Sequence, residues 1–242
     1  MSAEIRTVRV DGRLFRWRRL GDGPPLVLVH GLAGSWRWWR PVLPALAERH
    51  EVHVLDLPGF GRLPTARRFD LDAAVEWLAH WTRAAGVAPA GVVGHSLGGL
   101  VCARLAARHP GAVRRLVLVA PAGVPGHTVT GATLPLARAL LGARPGFLAL
   151  LARDAVRSGP VTTLSAALAV LAADVRADLA AVQAPTLVVL GRRDPLVPLA
   201  HGDEIARVLP DAELLVLEAA HVPMVERPEE FSRAVLAFLA GP

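Results

Sequence analysis

Short unbroken apolar runs recur along this chain and are separated by stretches whose apolar residues return every three to four positions. The runs at residues 26–29, 52–55, 91–93, 116–119, 186–190 and 214–217 have the character of strands buried on both faces. Helical spacing marks residues 37–48, 71–85, 97–109, 200–209 and 228–239. Ahead of these, residues 7–10 and 14–18 alternate about Asp11-Gly12 and predict an antiparallel hairpin. The pattern therefore predicts an α/β fold: a mostly parallel twisted sheet with an N-terminal antiparallel hairpin and helices on both faces. In such folds ligands bind beyond the carboxyl ends of the strands.

One interval breaks the alternation. From about residue 123 to 183 no strand-like run appears; Ala- and Leu-rich segments at 134–141, 147–156 and 161–172 have helical spacing and are separated by Gly and Pro. This predicts a helical lid at 123–183 inserted into a core formed by 1–122 and 184–242.

At 242 residues and 52% hydrophobic, the chain has material for one buried core. No uninterrupted apolar run reaches the roughly 18 residues that span a bilayer, and the N-terminus lacks the pattern of a secretory signal, so a soluble cytoplasmic protein is expected. The single cysteine, Cys102, excludes an intrachain disulfide and reads as a small buried thiol. A net charge of +6 raises the question of nucleic acid or an anionic membrane. All 27 basic residues are arginine, however, and Lys, Tyr and Asn are absent, which points to biased codon usage. The arginines lie scattered in pairs without interleaved aromatics, so neither nucleic acid nor membrane is expected as a partner.

The chemistry is carried by Gly94-His95-Ser96-Leu97-Gly98, where an apolar run meets a helical segment. A serine on so sharp a turn has its hydroxyl pushed clear of the sheet, and the flanking glycines allow neighbouring backbone to approach. Serine is a poor nucleophile near neutral pH and needs a base, and an acid to orient that base. Asp194, in Gly191-Arg192-Arg193-Asp194-Pro195, and His221, in Ala219-Ala220-His221-Val222-Pro223, each follow a predicted strand and would share its carboxyl edge with Ser96. No metal cluster, Cys pair or phosphate loop is visible, so no cofactor or metal is expected.

With His30-Gly31-Leu32-Ala33-Gly34-Ser35 and Asp56-Leu57-Pro58-Gly59-Phe60-Gly61 added, five motifs stand in an order that resembles the α/β-hydrolase superfamily, in its branch of cap-bearing serine esterases. The resemblance covers nearly the whole chain. It implies Ser96 as nucleophile, His221 as general base and acid, and Asp194 as the group that orients His221. It further implies an oxyanion hole from the backbone N–H of Leu97 and of Leu32, with Ala33 the competitor for the second donor. Dehalogenases and epoxide hydrolases of the superfamily carry aspartate at the elbow, so Ser96 points instead to hydrolysis of small to medium apolar esters through an acyl-enzyme. C–C bond hydrolysis, perhydrolysis, acyl transfer and ligand reception stay open on the same fold; the C–C reaction would need a lid cation, such as Arg138, Arg144, Arg153, Arg157 or Arg176.

Other residues have blander readings. Asp56 sits in what resembles the superfamily's structural turn, and His95 reads as a packing or hydrogen-bonding support for the elbow. His50, His53, His80, His109 and His201 read as surface or packing residues, and His127 as an insertion residue without a paired acid. Trp36, Phe60 and Met224, each beside a motif, are candidates to line the substrate pocket.

Overall fold

Each apolar run becomes a strand of one eight-stranded sheet in the computed structural model, which describes residues 3–61, 68–125, 133–142 and 144–241. Strands β1 (Glu4–Val10) and β2 (Arg13–Leu20) form the hairpin, followed by β3 (Pro25–Val29), β4 (Glu51–Leu55), β5 (Ala90–His95), β6 (Val113–Val119), β7 (Thr186–Gly191) and β8 (Ala212–Leu217). Their order in the sheet is β1-β2-β4-β3-β5-β6-β7-β8. β2 pairs antiparallel with β1 and β4, and every other pairing is parallel. Register aligns Val29 with Gly94, His95 with Val119, and Val119 with Val189, so the carboxyl ends of β3, β5, β6 and β7 form one edge.

Helices cover both faces. On one face α2 (Leu71–Ala84), α3 (Leu97–Arg108) and α7 (Leu199–Val208) bury Leu78, Trp81, Leu100 and Ile205. On the other, α1 (Leu43–Ala47), α8 (Pro223–Glu226) and α9 (Pro228–Leu239) bury Leu46, Met224, Phe231 and Val235 with Trp39. Local chemistry sets where these helices begin. The Asp70 carboxylate accepts from Ala73 N–H at 2.9 Å to cap α2, and Pro228 with Glu229 and Glu230 opens α9.

Two expectations change. The helix read over residues 37–48 divides into a 3-10 turn, Trp36–Trp39, and the short α1, because Pro41 and Pro44 remove amide donors that a continuous helix needs. The run at 214–217 is not buried on both faces: β8 is an edge strand, nothing among the described residues pairs beyond it, and Leu214 is exposed.

Between β6 and β7 lie α4 (Thr133–Gly142), α5 (Pro145–Ala172) and α6 (Arg176–Ala180). α5 joins the two segments read at 147–156 and 161–172 across a kink at Gly159-Pro160, where Gly159 has φ 75°. By length and hydropathy α5 would suffice to cross a bilayer, although it carries Arg153, Asp154 and Arg157. Its buried residues are Asp154, Ser158, Thr162 and Ala166, one face at four-residue steps, whereas Val156, Val161, Leu164 and Leu168 are exposed.

Candidate active site

Every residue of β5 is buried, and the chain leaves that strand through Ser96 at φ 52°, ψ −116°. Such a conformation costs a non-glycine residue about 1–3 kcal/mol and persists only where its surroundings enforce it. Here they do. Ser96 N–H donates to Val119 O at 2.9 Å, and Ser96 O accepts from Leu100 N–H at 3.1 Å and Ala122 N–H at 3.2 Å. A Cβ on Gly98 would collide with the carbonyl oxygens of Val29 and His30, so α3 can start this close to the end of β3 only with glycine there. Ser96 is half-buried while its neighbours on both sides are buried.

Asp194 and His221 meet as the sequence predicts. Imidazole Nδ1 of His221 lies 2.8 Å from Asp194 Oδ2, and the other carboxylate oxygen accepts from Leu196 N–H at 2.8 Å and Val197 N–H at 3.1 Å. Burial pushes the Asp194 pKa up, but the adjacent imidazole and these amides outweigh it and hold the carboxyl below its ordinary value. An ionised Asp194 accepts only, so in the neutral tautomer the His221 proton sits on Nδ1 and Nε2 is the free acceptor.

The His221 loop is held from outside the dyad as well. Glu226, on α8, accepts from Ala220 N–H at 3.0 Å and Val222 N–H at 3.4 Å, embracing the residue between them. On the opposite side His95 Nε2 lies 2.8 Å from His221 O. Glu226 escaped the sequence reading because no spacing rule marks an acid five residues past a catalytic-type histidine. His30 ties two further loops together: its Nε2 accepts from Leu57 N–H at 3.1 Å and its Nδ1 donates to Gly31 O at 2.8 Å. Burial holds this imidazole below its ordinary pKa, so it stays neutral. Asp56 accepts from Trp36 N–H at 2.7 Å, in keeping with a turn-holding role.

Ser96 and His221 open onto one cavity of about 200 Å³. Among the described residues its wall is otherwise apolar, from Leu32, Pro121, Val124, Val170 and Leu196 among others, with one exception, His201. His201 was read as a surface or packing residue; α7 begins close enough to the strand edge to place it in the wall. Leu32 lines the cavity, whereas Ala33 is buried at φ 52° and is not among the lining residues. The Leu97 N–H is the first amide of α3, and amides at a helix start have no acceptor within their own helix.

The three pocket candidates do not line this cavity. Trp36 is half-buried beneath the Arg18 guanidinium, 3.8 Å from its ring centroid. Phe60 is fully buried between His30 and Phe69, at ring-centroid distances of 5.7 and 5.6 Å. Met224 is fully buried in the core on the α9 face. Proximity to a motif in sequence placed these residues near the site, but their apolar bulk is spent supporting its loops. His127 lies outside the described residues.

Comparison with known proteins identifies the family and the fold. The family profile of the alpha/beta hydrolase fold matches residues 24–159, more than half of the chain. A pimeloyl-[acyl-carrier protein] methyl ester esterase of Aeromonas hydrophila is 33% identical, with 91% of this chain and 97% of that protein covered. The protein of the same name from Chromobacterium violaceum is 36% identical, covering 91% and 96%. Among solved structures, the enol-lactonase from Burkholderia xenovorans LB400 superposes with a TM-score of 0.86 at 26% identity, covering 98% of this chain and all of that one. The strand order, the serine turn and these relatives together make the chain a member of the α/β-hydrolase family, and a hydrolase.

Proposed function

We propose that this hydrolase is a serine carboxylesterase acting on small to medium apolar esters through an acyl-enzyme. The observation that carries the reading is the shared cavity: Ser96, on its strained turn, and His221, oriented by Asp194, face one apolar chamber. In this reading His221 Nε2 takes the proton of Ser96 as Oγ attacks the ester carbonyl, and the Leu97 and Leu32 amides receive the oxyanion. His221 then protonates the departing alcohol, and water, activated by the same nitrogen, releases the acid.

The insertion supplies specificity. Residues 123–183 act as a lid over the core, with Ala167, Val170 and Leu171 of α5 closing the acyl side of the cavity. The names of the two relatives support a carboxylic ester with a short alcohol portion as substrate. Among the described residues no arginine lines the cavity, which gives C–C hydrolysis of an acidic substrate no support there. Arg176 is engaged by Asp174 and lies 3.7 Å from Glu204, and Arg144 donates to Glu226 O at 3.3 Å.

Hydrolysis of p-nitrophenyl esters from acetate to palmitate, by the wild type and Ser96→Ala, tests the proposal. Rapid turnover that peaks at short or medium chains and vanishes in the variant is the expected result. Negligible turnover by folded wild type overturns it.

A further inference from the structure

We infer that His95 is a positioning residue for the proposed reaction, joining the serine turn, the His221 loop and the Gly31-Leu32 loop through one buried ring. The inference rests on the Ser96, His221 and Asp194 roles proposed above and deepens them. Three contacts carry it. The Nε2 atom of His95 is 2.8 Å from the carbonyl oxygen of His221, so that nitrogen must carry the hydrogen. The ring lies against Gly31, where an added Cβ would come within 2.7 Å of Nδ1 and 3.1 Å of Ser96 Cβ. Ring centroids of His95 and His221 are 4.9 Å apart, and Trp38 backs the His95 ring at 5.7 Å.

The protonation state is consistent with this role. Full burial, reinforced by the neighbouring His221, lowers the His95 imidazole to about 3, so a single proton is available and the carbonyl claims it. Among the described residues Nδ1, a buried acceptor, finds no partner. A fold that needed only bulk at this position would be better served by an apolar ring, because an orphaned buried nitrogen is costly. The histidine is kept for its other nitrogen. With Glu226 holding the amides on either side of His221 and His95 holding its carbonyl, the peptide that carries the base is restrained from two directions.

The consequence for rate follows from geometry. A misplacement of about 1 Å in a reacting group can cost about 100-fold in rate while leaving substrate affinity alone. Three variants at position 95 separate positioning from filling. Phe at 95 keeps a ring without a donor; Gln places an amide N–H near the former Nε2; Asn carries an amide too short to reach His221 O.

The expected result, with p-nitrophenyl butyrate, is a kcat about tenfold or more lower in His95→Phe and His95→Asn, with KM within about twofold of wild type. His95→Gln should recover kcat to within about threefold of wild type. The low-field proton resonance of the His221–Asp194 hydrogen bond should persist in wild type and His95→Gln and shift or broaden in the other two. Wild-type kcat in His95→Phe or in His95→Asn, or an equal fall in His95→Gln and His95→Asn, overturns the inference. If the Phe variant does not fold, the Gln and Asn pair still decides. A fourth variant, Ser96→Ala, keeps the two readings apart. Turnover that survives it refutes the esterase proposal, whereas turnover that requires Ser96 and ignores residue 95 refutes only the role of His95.

Discussion

Helix α3 starts directly after the cavity's Ser96 and α5 lines the cavity wall, yet the two are built in opposite senses. α3 buries Leu97, Leu100, Val101, Cys102 and Leu105 against the sheet and turns Arg104 and Arg108 toward Asp72 and Asp178. α5 buries Asp154, Ser158 and Thr162 and leaves Val156, Val161, Leu164 and Leu168 exposed. Its inward polar groups are partly satisfied: Ser35 Oγ donates to Asp154 Oδ2 at 2.6 Å, and Ser158 Oγ donates to Asp154 O at 2.9 Å. One helix is placed by the hydrophobic effect, whereas the other combines a buried polar stripe with apolar contacts from Phe147, Leu150, Leu151 and Ala166. Stability should therefore reside in the first region and selectivity in the second.

Four measurements would break or sharpen that contrast. The largest effect belongs to the core turn itself: Ser96→Ala should lower kcat/KM by about 10⁴-fold or more with the thermal midpoint little changed. A residual rate near wild type would show that α3 does not begin at the nucleophile.

Next comes packing. Leu100→Ala should cost about 2–5 kcal/mol in urea-induced unfolding, whereas Leu164→Ser on α5 should cost under about 0.5 kcal/mol. Equal costs would mean that the exposed face of α5 is covered in solution.

Acid sensitivity should follow the core as well. His53 accepts from Trp17 Nε1–H at 3.0 Å, and burial holds its imidazole down to about 4. A depressed histidine contributes stability that is complete above its unfolded value near 6.5 and is lost as pH falls through the folded value. For His53 the loss is about 3 kcal/mol across that window, with His95, depressed to about 3, adding to it. Denaturation midpoints measured from pH 7.5 down to pH 4 should fall steadily, and a flat profile would contradict neutral burial of these rings.

The smallest effect is expected in selectivity. Ala167→Phe adds a ring to the cavity wall and should shift the preferred acyl chain to shorter esters, with about a tenfold change in the ratio of kcat/KM values. Its stability should change by less than that of Leu100→Ala.

Much of the sheet was legible because a strand buried on both faces needs a continuous apolar run, and that requirement is local. The serine turn was legible for a similar reason: a strained corner tolerates only small neighbours, and Gly94 and Gly98 are visible without any structure. Helix 37–48 failed at Pro41 and Pro44, where a local rule was available but yielded to the periodicity of the tryptophans. Trp36, Phe60 and Met224 failed differently. Nearness to a motif in sequence says nothing about the side of a loop to which a side chain turns.

By itself, then, the chain's sequence determined where strands and helices form, the corner at Ser96 and the order in which Ser96, Asp194 and His221 appear, since each depends on neighbours a few residues away. Tertiary structure alone decided that His95 would reach the carbonyl of His221 across 126 positions and Ser35 would reach Asp154 across 119. It also decided that His201 would enter the cavity and that α5 would bury Asp154, Ser158 and Thr162. Such contacts follow from sheet register and crossover geometry, which bring distant residues together at one strand edge and leave no trace in local periodicity.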